Sequence, residues 1–233
     1  MAEITSNDYF TLDGVSSATV GIYVDTPPIP PLAKQRYTTW KTGIDMDNAS
    51  PDDVFENITI SFSCFVFFKS TNFDLSAIYA FLQGKTTLQY SRFADRYFKI
   101  RQIGGLTPQQ QYDGNKFKFT VSFVCAPFKY HTSNSAVTPS GTIENPGTRY
   151  SRPVYAITHS GACKLTVNGE ELQIAAGAAS PIYIDAERMI AYDGTGANQT
   201  KYTTGNFPFL VPGVNTISTT GSLVSVTGNW RDY

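Results

Sequence analysis

The sequence predicts a mainly β protein with two domains and one short α-helix. Long runs in which apolar and polar residues alternate indicate strands with one buried face, and a single short segment has helical spacing. Between positions 131 and 148 aromatic residues vanish and Ser, Thr, Asn, Pro and Gly take over, which is typical of a linker. We therefore expect domains at 1–135 and 136–233, each long enough to bury its own core.

The two clearest strands lie in the first domain. Apolar residues occupy alternate positions from 58 to 68 and again from 117 to 125, with mostly polar residues between them. In the first of these strands Phe65 and Phe67 interrupt the polar face. We therefore expect that end of the strand to be covered on both sides.

A short helix is predicted between these two strands. It should begin after a cap at Asp74 and end at Gly84. Its apolar side is expected to hold Leu75, Ile78, Tyr79 and Leu82. The earlier segment from Thr26 to Pro51 starts with PPIPP, which cannot pair as a central strand. We interpret it as a long hairpin or loop that leaves the body of its domain, with a turn at Gly43.

The second domain is a succession of short strands separated by turns. The predicted strands are VYAITHS, CKLTVNG, GEELQI, PIYID, RMIAYD, FPFLV, VNTIS and SLVSVTGNWRDY. Asn168 and Gly169 give the strongest hairpin signal, because both turn positions need a positive φ that these residues tolerate. Pro212–Gly213 marks a corner, and IGG at 103–105 and DGTG at 193–196 are interpreted as turns. Regular short strands of this kind favour a two-sheet β-sandwich.

Composition indicates that part of the surface is hidden in an assembly. Charged residues make up 16% of the chain, while Tyr and Phe number 14 and 16. The net charge of −1 argues against nucleic acid as the main partner. Neither a targeting segment nor an apolar run long enough to span a bilayer is visible. We expect a cytosol-like compartment until assembly, and no membrane partner.

The sequence offers few groups for catalysis, and it predicts no cofactor or metal site. Only two histidines, His131 and His159, are present, which excludes a His-rich zinc site by count. Cysteines occur at 64, 125 and 163, inside strand patterns and without close pairing. We expect them to be free buried thiols.

Four segments of the chain carry distinctive combinations of strand, turn and aromatic residues. They are SRFADRYFKI at 91–100, KFKFTVSFVCAPFKY at 116–130, NPGTRYSRPVYAI at 145–157, and PIYIDAERMIAYDG followed by GNFPFLVPGVNTI between 181 and 217. In sequence and in order, these segments resemble the distal tail proteins of bacteriophages with long non-contractile tails. The resemblance implies a first domain of β-sandwich or split-barrel type that closes into a ring. It also implies a galectin-like β-sandwich as the second domain.

The resemblance implies a structural role and no enzymatic activity. The family forms a homo-hexameric hub ring that joins the tail tube and tape-measure protein to a Tal-like tail-tip protein and to receptor-binding or baseplate proteins. DNA would pass through the lumen without specific binding. The protein would assemble in the host bacterial cytoplasm and reside at the tail tip of the virion. For the ring contact we predict the segment from Pro27 to Pro51 and the strands around Tyr97 to Ile103. The contact residues predicted there are Ile29, Tyr37, Trp40, Ile44, Tyr97, Lys99 and Arg101.

Two other functions stay open. A carbohydrate-binding module that contacts cell-wall sugars would need an exposed aromatic platform, for which the outer-surface candidates are Tyr192, Tyr202 and Trp230. Trp230 also fits core packing or a contact between subunits. A glycosidase would need two carboxylates, for which the candidate pairs are Asp185 with Glu187 and Glu170 with Glu171. Both pairs lie beside turns, which favours structural roles for them.

Overall fold

The computed structural model describes residues 8–41, 47–67, 76–113, 116–134 and 141–233. The chain forms two compact units, of which the first comprises Met1–Lys129 with Tyr233 and the second comprises Tyr130–Asp232. Both units are mainly β, as predicted, and the one α-helix among the described residues lies in the first unit. The predicted linker from 131 to 148 is not irregular throughout, because a strand occupies Thr142–Asn145.

The first unit contains a large antiparallel sheet and a separate two-stranded sheet. Its strands are β1 (Phe10–Leu12), β2 (Val15–Ser16), β3 (Tyr23–Thr26), β4 (Gln35–Lys41), β5 (Asp47–Phe55), β6 (Ile58–Phe67), β7 (Thr87–Tyr90), β8 (Arg96–Asp113) and β9 (Lys116–His131). The order in the large sheet is β2-β1-β7-β8-β9-β6-β3, and β4 pairs with β5. The last two residues of β9 belong to the second unit.

The core of the first unit lies on one face of the central strands β6 and β9. Their antiparallel register places the apolar positions of both strands on this face. The ring centroids of Phe62 and Phe123 lie 5.9 Å apart, and Phe10 packs against both rings. On the other face Phe65 is buried and stacks on Tyr23, with ring centroids 5.7 Å apart. The prediction that this end of β6 is covered on both sides is confirmed.

The helix α1 (Ser76–Leu82) buries Ile78, Phe81 and Leu82. The predicted apolar side was wrong at Tyr79, whose side chain is 44% exposed, because the buried stripe runs through Phe81 instead. The predicted cap Asp74 and the predicted contact Leu75 lie outside the described residues.

The interpretation of residues 103–105 as a turn was also wrong, because β8 continues through them. Gly105 has a φ of +94°, so the strand bends locally without ending. A Cβ on Gly104 would lie 3.3 Å from the Cβ of Ser122. Gly105 therefore permits a bend and Gly104 a close contact between strands. Both are common reasons, besides a turn, for glycine within a strand sequence.

The second unit is a sandwich of two sheets. Its strands are β10 (Thr142–Asn145), β11 (Val154–Thr158), β12 (Cys163–Val167), β13 (Glu170–Ile174), β14 (Ile182–Asp185), β15 (Ile190–Asp193), β16 (Thr203–Gly205), β17 (Gly213–Thr219), β18 (Ser222–Thr227) and β19 (Arg231–Asp232). One sheet has the order β10-β17-β12-β13-β16 and the other β15-β14-β11-β18. Both sheets contribute to one core, with Leu165, Leu172 and Ile217 from the first and Tyr155, Ile184 and Val226 from the second.

Two hairpins that the sequence predicts in this unit are present in the structure. Asn168 and Gly169 join β12 to β13 with φ of 50° and 88°, which confirms the predicted hairpin. β14 and β15 form the second predicted hairpin. The predicted strand FPFLV was wrong, because only Leu210 pairs in it, through an isolated bridge to Ser151. The segment is extended, but it lies beside the sheets rather than within one.

Candidate functional surfaces

An arm, defined here as residues 27–41 and 47–55, leaves the first unit. The N–H of Glu56 donates to the C=O of Lys34 at 2.9 Å and closes the base of the β4–β5 hairpin. At this base the Phe55 ring packs against Phe128 and Tyr233, with centroid distances of 5.2 and 5.8 Å. The predicted hairpin excursion is thus present, although its predicted turn at Gly43 lies outside the described residues.

The arm exposes large apolar side chains. The exposed fractions are 92% for Ile29, 78% for Leu32 and 56% for Tyr37. β4 and β5 pair with each other and with no further strand of the described chain. Two-stranded sheets are at best marginally stable alone in water, and open strand edges favour pairing with another chain. The arm therefore presents a surface that association would stabilise.

A groove of about 460 Å³ lies elsewhere on the first unit, between the end of α1 and the middle of β8. Its apolar lining comes from Tyr79 and Leu82 on the helix side and from Ile100, Ile103 and Leu106 on the strand. Ile100, Ile103 and Leu106 also pack against the core, which fixes the floor of the groove. The groove is thus an apolar surface packed on the core of its unit. The exposed side chains of the arm are apolar as well, so the two surfaces are complementary in polarity.

The structure brings only some of the predicted contact residues to these two surfaces. Tyr37 is exposed on the arm and Arg101 lines the groove. Tyr97 and Lys99 lie in β8 opposite Gln89 and Thr87, on the same face of the strand as Arg101.

Two of the predicted contact residues cannot be placed on either surface, and some residues of these surfaces were not predicted. Trp40 lies in β4 opposite Asn48, and Ile44 lies outside the described residues. Leu32 and Ile103 lie within the predicted stretches but were not named as contact residues, and Tyr79 and Leu106 in the groove were missed. The signal for Leu32 was available, since an apolar residue that follows PPIPP has few neighbours to bury it.

The outer aromatic surface proposed for sugar binding is not assembled in the second unit. Trp230 is only 7% exposed and belongs to the core, so its assignment to an outer contact surface was wrong. Its indole lies against Gly228, where any Cβ would clash with it. Tyr192 stacks face to face on Tyr183, with ring centroids 5.3 Å apart and planes 8° apart. Each of these two rings therefore covers one face of the other.

Tyr202 lies in another groove, on the five-stranded sheet, whose lining mixes polar and apolar residues. The Nζ of Lys201 lies 4.8 Å from the centroid of its ring, and the backbone of Gly177 approaches the ring edge. An ion pair between Lys164 and Glu171, at 2.6 Å, spans the same groove. The ring is thus partly covered, and the charged neighbours pair with each other.

The candidate carboxylates take part in local structure. One oxygen of Asp185, Oδ1, accepts hydrogen bonds from the N–H groups of Glu187 and Arg188 at 3.0 and 2.9 Å, which holds the β14–β15 turn. Glu171 pairs with Lys164, and Glu170 is exposed at the start of β13. No observation favours a paired acid and base here. Among the described residues, no group of three or more His, Cys, Asp or Glu is placed to hold a metal ion.

All three cysteines are free and buried, as predicted. Burial raises the pKa of the Cys64 thiol to about 12, with a smaller contribution from the charge of Asp25. Burial also raises the pKa of Cys125 to about 12. These thiols stay protonated at neutral pH and fill the core as small apolar side chains.

Three arginines surround one tyrosine in the second unit. The guanidinium carbons of Arg149, Arg231 and Arg152 lie 4.2, 4.6 and 5.7 Å from the centroid of the Tyr150 ring. Burial would raise the pKa of the Tyr150 hydroxyl, but a hydrogen bond with Arg152 and the three positive charges together lower it. This cluster gives one corner of the unit a positive potential.

Comparison with known proteins identifies the fold. No protein-family model matches the sequence, and no curated protein sequence matches it. Among solved structures, the chain is similar to the crystal structure of the Dit protein of phage SPP1, described as a paradigm of the hub adsorption apparatus in phages that infect Gram-positive bacteria. The TM-score is 0.72 at 17% sequence identity, over 94% of this chain and 96% of that protein. The predicted resemblance to distal tail proteins is therefore confirmed for the fold: the chain has the fold of a phage Dit protein.

Proposed function

We propose that this chain is a structural distal tail protein that forms a hexameric hub ring at the tip of a phage tail. The likeness of both units to a Dit protein over 94% of the chain supports the class of function. The first unit would form the ring, and the second, as a galectin-like sandwich, would point outward and carry adhesion proteins. The proposed partners are the tail tube, the tape-measure protein, a Tal-like tail-tip protein and receptor-binding or baseplate proteins.

The exposed apolar arm is the observation that carries this proposal. A closed ring requires heterologous contacts, in which one patch on a subunit meets a different patch on the next. The arm and the groove are two such patches on one unit, and both are apolar. We therefore propose that the arm of each subunit lies in the α1–β8 groove of its neighbour. The ring would assemble in the host cytoplasm and leave a lumen through which DNA passes without specific binding.

The test uses two complementary variants of the full chain. The first combines Ile29→Asp and Leu32→Asp on the arm, and the second is Tyr79→Asp in the groove. All three side chains are exposed, so folding should be preserved, which circular dichroism checks. Wild-type protein should form rings in negative stain, alone or with its tail-tip partner. Light scattering should give the mass of six copies of the chain, plus the mass of the partner where it is bound.

Each variant alone should remain monomeric, and an equal mixture should form dimers but no rings. The mixture contains one intact arm and one intact groove, so only one productive contact can form. Absence of dimers in the mixture would show that the arm does not bind the groove. A wild-type protein that stays monomeric even with its partner would refute the ring.

A further inference from the structure

An extended segment on the second unit, Asn206–Val211, has one saturated edge. Leu210 exchanges both backbone hydrogen bonds with Ser151, at 2.8 and 3.0 Å. The C=O of Pro208 accepts from the hydroxyl of Tyr155 at 3.2 Å. Because residues two apart in an extended chain direct their backbone groups to the same side, these bonds saturate the edge used by residues 208 and 210.

On the opposite edge of the segment, the backbone of Val211 is hydrogen-bonded by a side chain, Asn215, where a sheet would have a neighbouring strand. The carboxamide of the buried Asn215 accepts from the N–H of Val211 and donates to its C=O, both at 2.8 Å. The next positions on this edge are Phe209 and Phe207. Neither forms a backbone hydrogen bond with the part of the chain that the structure describes. The backbone groups of Phe207 and Phe209 are therefore open for pairing with a strand. They lie on the same edge as those of Val211, which the Asn215 carboxamide already bonds.

An apolar groove of about 480 Å³ lies beside the open edge. It is lined by Met189, Phe207, Phe209 and Val211, with Asn168 and Arg152 at its polar rim. Met189 is 57% and Phe209 47% exposed, which is unusual for two large apolar side chains that share one groove. Met189 also has a positive φ of 57°, which non-glycine residues seldom adopt.

The walls of this groove are held in place before any ligand arrives. The Asn168 side chain donates to Asn215 at 2.7 Å and accepts from the N–H of Thr216 at 2.9 Å. The same Asn215 holds Val211, so one buried amide links two walls. Asp185 fixes the turn that carries Met189. A rigid site loses little conformational entropy when it binds, which favours affinity.

Charge selects the kind of peptide that would fit. Arg152 lines the groove, and the Tyr150 ring beside it carries the guanidinium groups of Arg149 and Arg231 as well. Phe209 contacts this ring at 5.3 Å between centroids, so the positive corner adjoins the open edge. The groove lining contributes a single carboxylate, from Glu170, among the described residues. An acidic side chain near the Phe209 position would complement this corner.

We propose that the edge formed by Phe207 and Phe209 binds an extended peptide segment of another protein by strand pairing. Alternate apolar side chains of that peptide enter the groove, and an acidic side chain meets Arg152. This mode of recognition uses main-chain hydrogen bonds for affinity and side-chain pockets for specificity. The inference rests on the proposed attachment role of the second unit, for which it supplies the chemistry of the partner.

The test selects binders to the full chain from a random library of twelve-residue peptides. Enriched peptides should contain alternating apolar residues and an acidic residue, and they should lack proline in the pairing region. N-methylation of alternate backbone amides in the best peptide should weaken binding about tenfold or more, because it removes the paired N–H groups. Phe209→Pro, which removes one N–H of the edge, should have a similar effect.

Charge reversal gives a second, independent readout. Arg152→Glu should weaken binding of the acidic peptide about tenfold and improve binding of the same peptide with lysine in place of its acidic residue. Phe93→Ala, which truncates an exposed phenylalanine on the first unit, is the matched control and should leave binding unchanged. Failure to enrich any peptide, or binding that N-methylation and Phe209→Pro leave intact, would overturn the proposal.

Self-association would also overturn it. If sedimentation shows that Phe209→Pro abolishes a dimer of the wild-type chain, the edge binds a second copy instead of a foreign peptide. The peptide assay is independent of ring formation. Peptide binding without rings would refute the proposed ring alone, and rings without peptide binding would refute the proposed docking edge alone.

Discussion

Two hairpins of this molecule differ in their surroundings: β12–β13 lies inside a sheet, whereas β4–β5 forms a sheet of its own. In the second unit, β12 and β13 are flanked on both sides, by β17 and β16. Their inward side chains, including Leu165 and Leu172, are completely buried. In the first unit, the β4–β5 hairpin pairs with no other described strand, and Tyr37 in β4 is 56% exposed.

The difference shows where each hairpin obtains its stability. The β12–β13 hairpin obtains it from a core within its own unit, so its apolar residues occupy alternate positions, Cys163, Leu165 and Val167 in β12 and Leu172 and Ile174 in β13. The arm carries QRYTTWK and DNASPDDVF, which contain no such alternation. A hairpin of this composition needs a surface supplied from outside. The contrast therefore separates residues that maintain the fold from residues that serve association.

The largest loss of stability is expected for Leu165→Ala in the β12–β13 hairpin. The side chain is completely buried among residues of both sheets, so truncation leaves a cavity that the sandwich cannot fill. We expect the free energy of unfolding of the second unit to fall by about 2–5 kcal/mol. Urea unfolding followed by circular dichroism measures it. Val214→Ala, at a position 70% exposed in the same sheet, is the control and should change it little.

A somewhat smaller loss is expected for Asn215→Ala. The buried amide bonds the backbone of Val211 and Gly213 and the side chain of Asn168. Its removal takes away four partly buried hydrogen bonds that hold the turn between residues 211 and 215, which should cost about 2 kcal/mol. The neighbouring exposed substitution Thr216→Ala should cost less than about 0.5 kcal/mol in the same unfolding assay. Equal losses for the two variants would show that Asn215 has no special structural role.

The fold could be predicted from sequence wherever local chemistry decides the structure. Asn168–Gly169 specifies its turn because few other residues tolerate positive φ at both positions. Strands β6 and β9 follow from alternation because one face of each is buried. The extended segment 206–211 was mistaken for a strand, because its composition is that of a strand while its pairing depends on Ser151 and Asn215, which lie far away in sequence.

The candidate surfaces were harder to predict because they depend on what the fold leaves uncovered. Ile29 and Tyr37 could be chosen, since proline-rich sequence before them prevents burial in a sheet. Tyr79 was assigned to the core, because helical spacing alone fits it there as well as it fits Phe81. The groove residues Ile103 and Leu106 lie on either side of two glycines that look like a turn in sequence but form a bend within β8. Only the three-dimensional arrangement decides these cases.

A loss of about 1 kcal/mol is expected for Gly169→Ala in the β12–β13 turn. A Cβ at this position would meet nothing within 4 Å, so the cost comes only from a φ of +88°, which disfavours any L-residue with a side chain. Gly161→Ala is the matched control, because it also has open space and its φ is not in the left-handed region. That control should be neutral or slightly stabilising. A neutral Gly169→Ala would mean that the turn relaxes to another type.

The smallest change in stability is expected on the arm, where the effect on assembly should be large. Tyr37→Ser removes a ring that is mostly in solvent, so the free energy of unfolding of the isolated chain should change by less than about 0.5 kcal/mol. Light scattering of the same variant should show loss of the proposed hexamer, because the aromatic ring of Tyr37 would contribute only to the contact between subunits. Tyr9→Ser, which truncates another exposed tyrosine of the first unit, should keep both stability and assembly. If Tyr37→Ser instead destabilised the monomer by as much as Gly169→Ala, the arm would be part of the fold and the distinction between the two hairpins would fail.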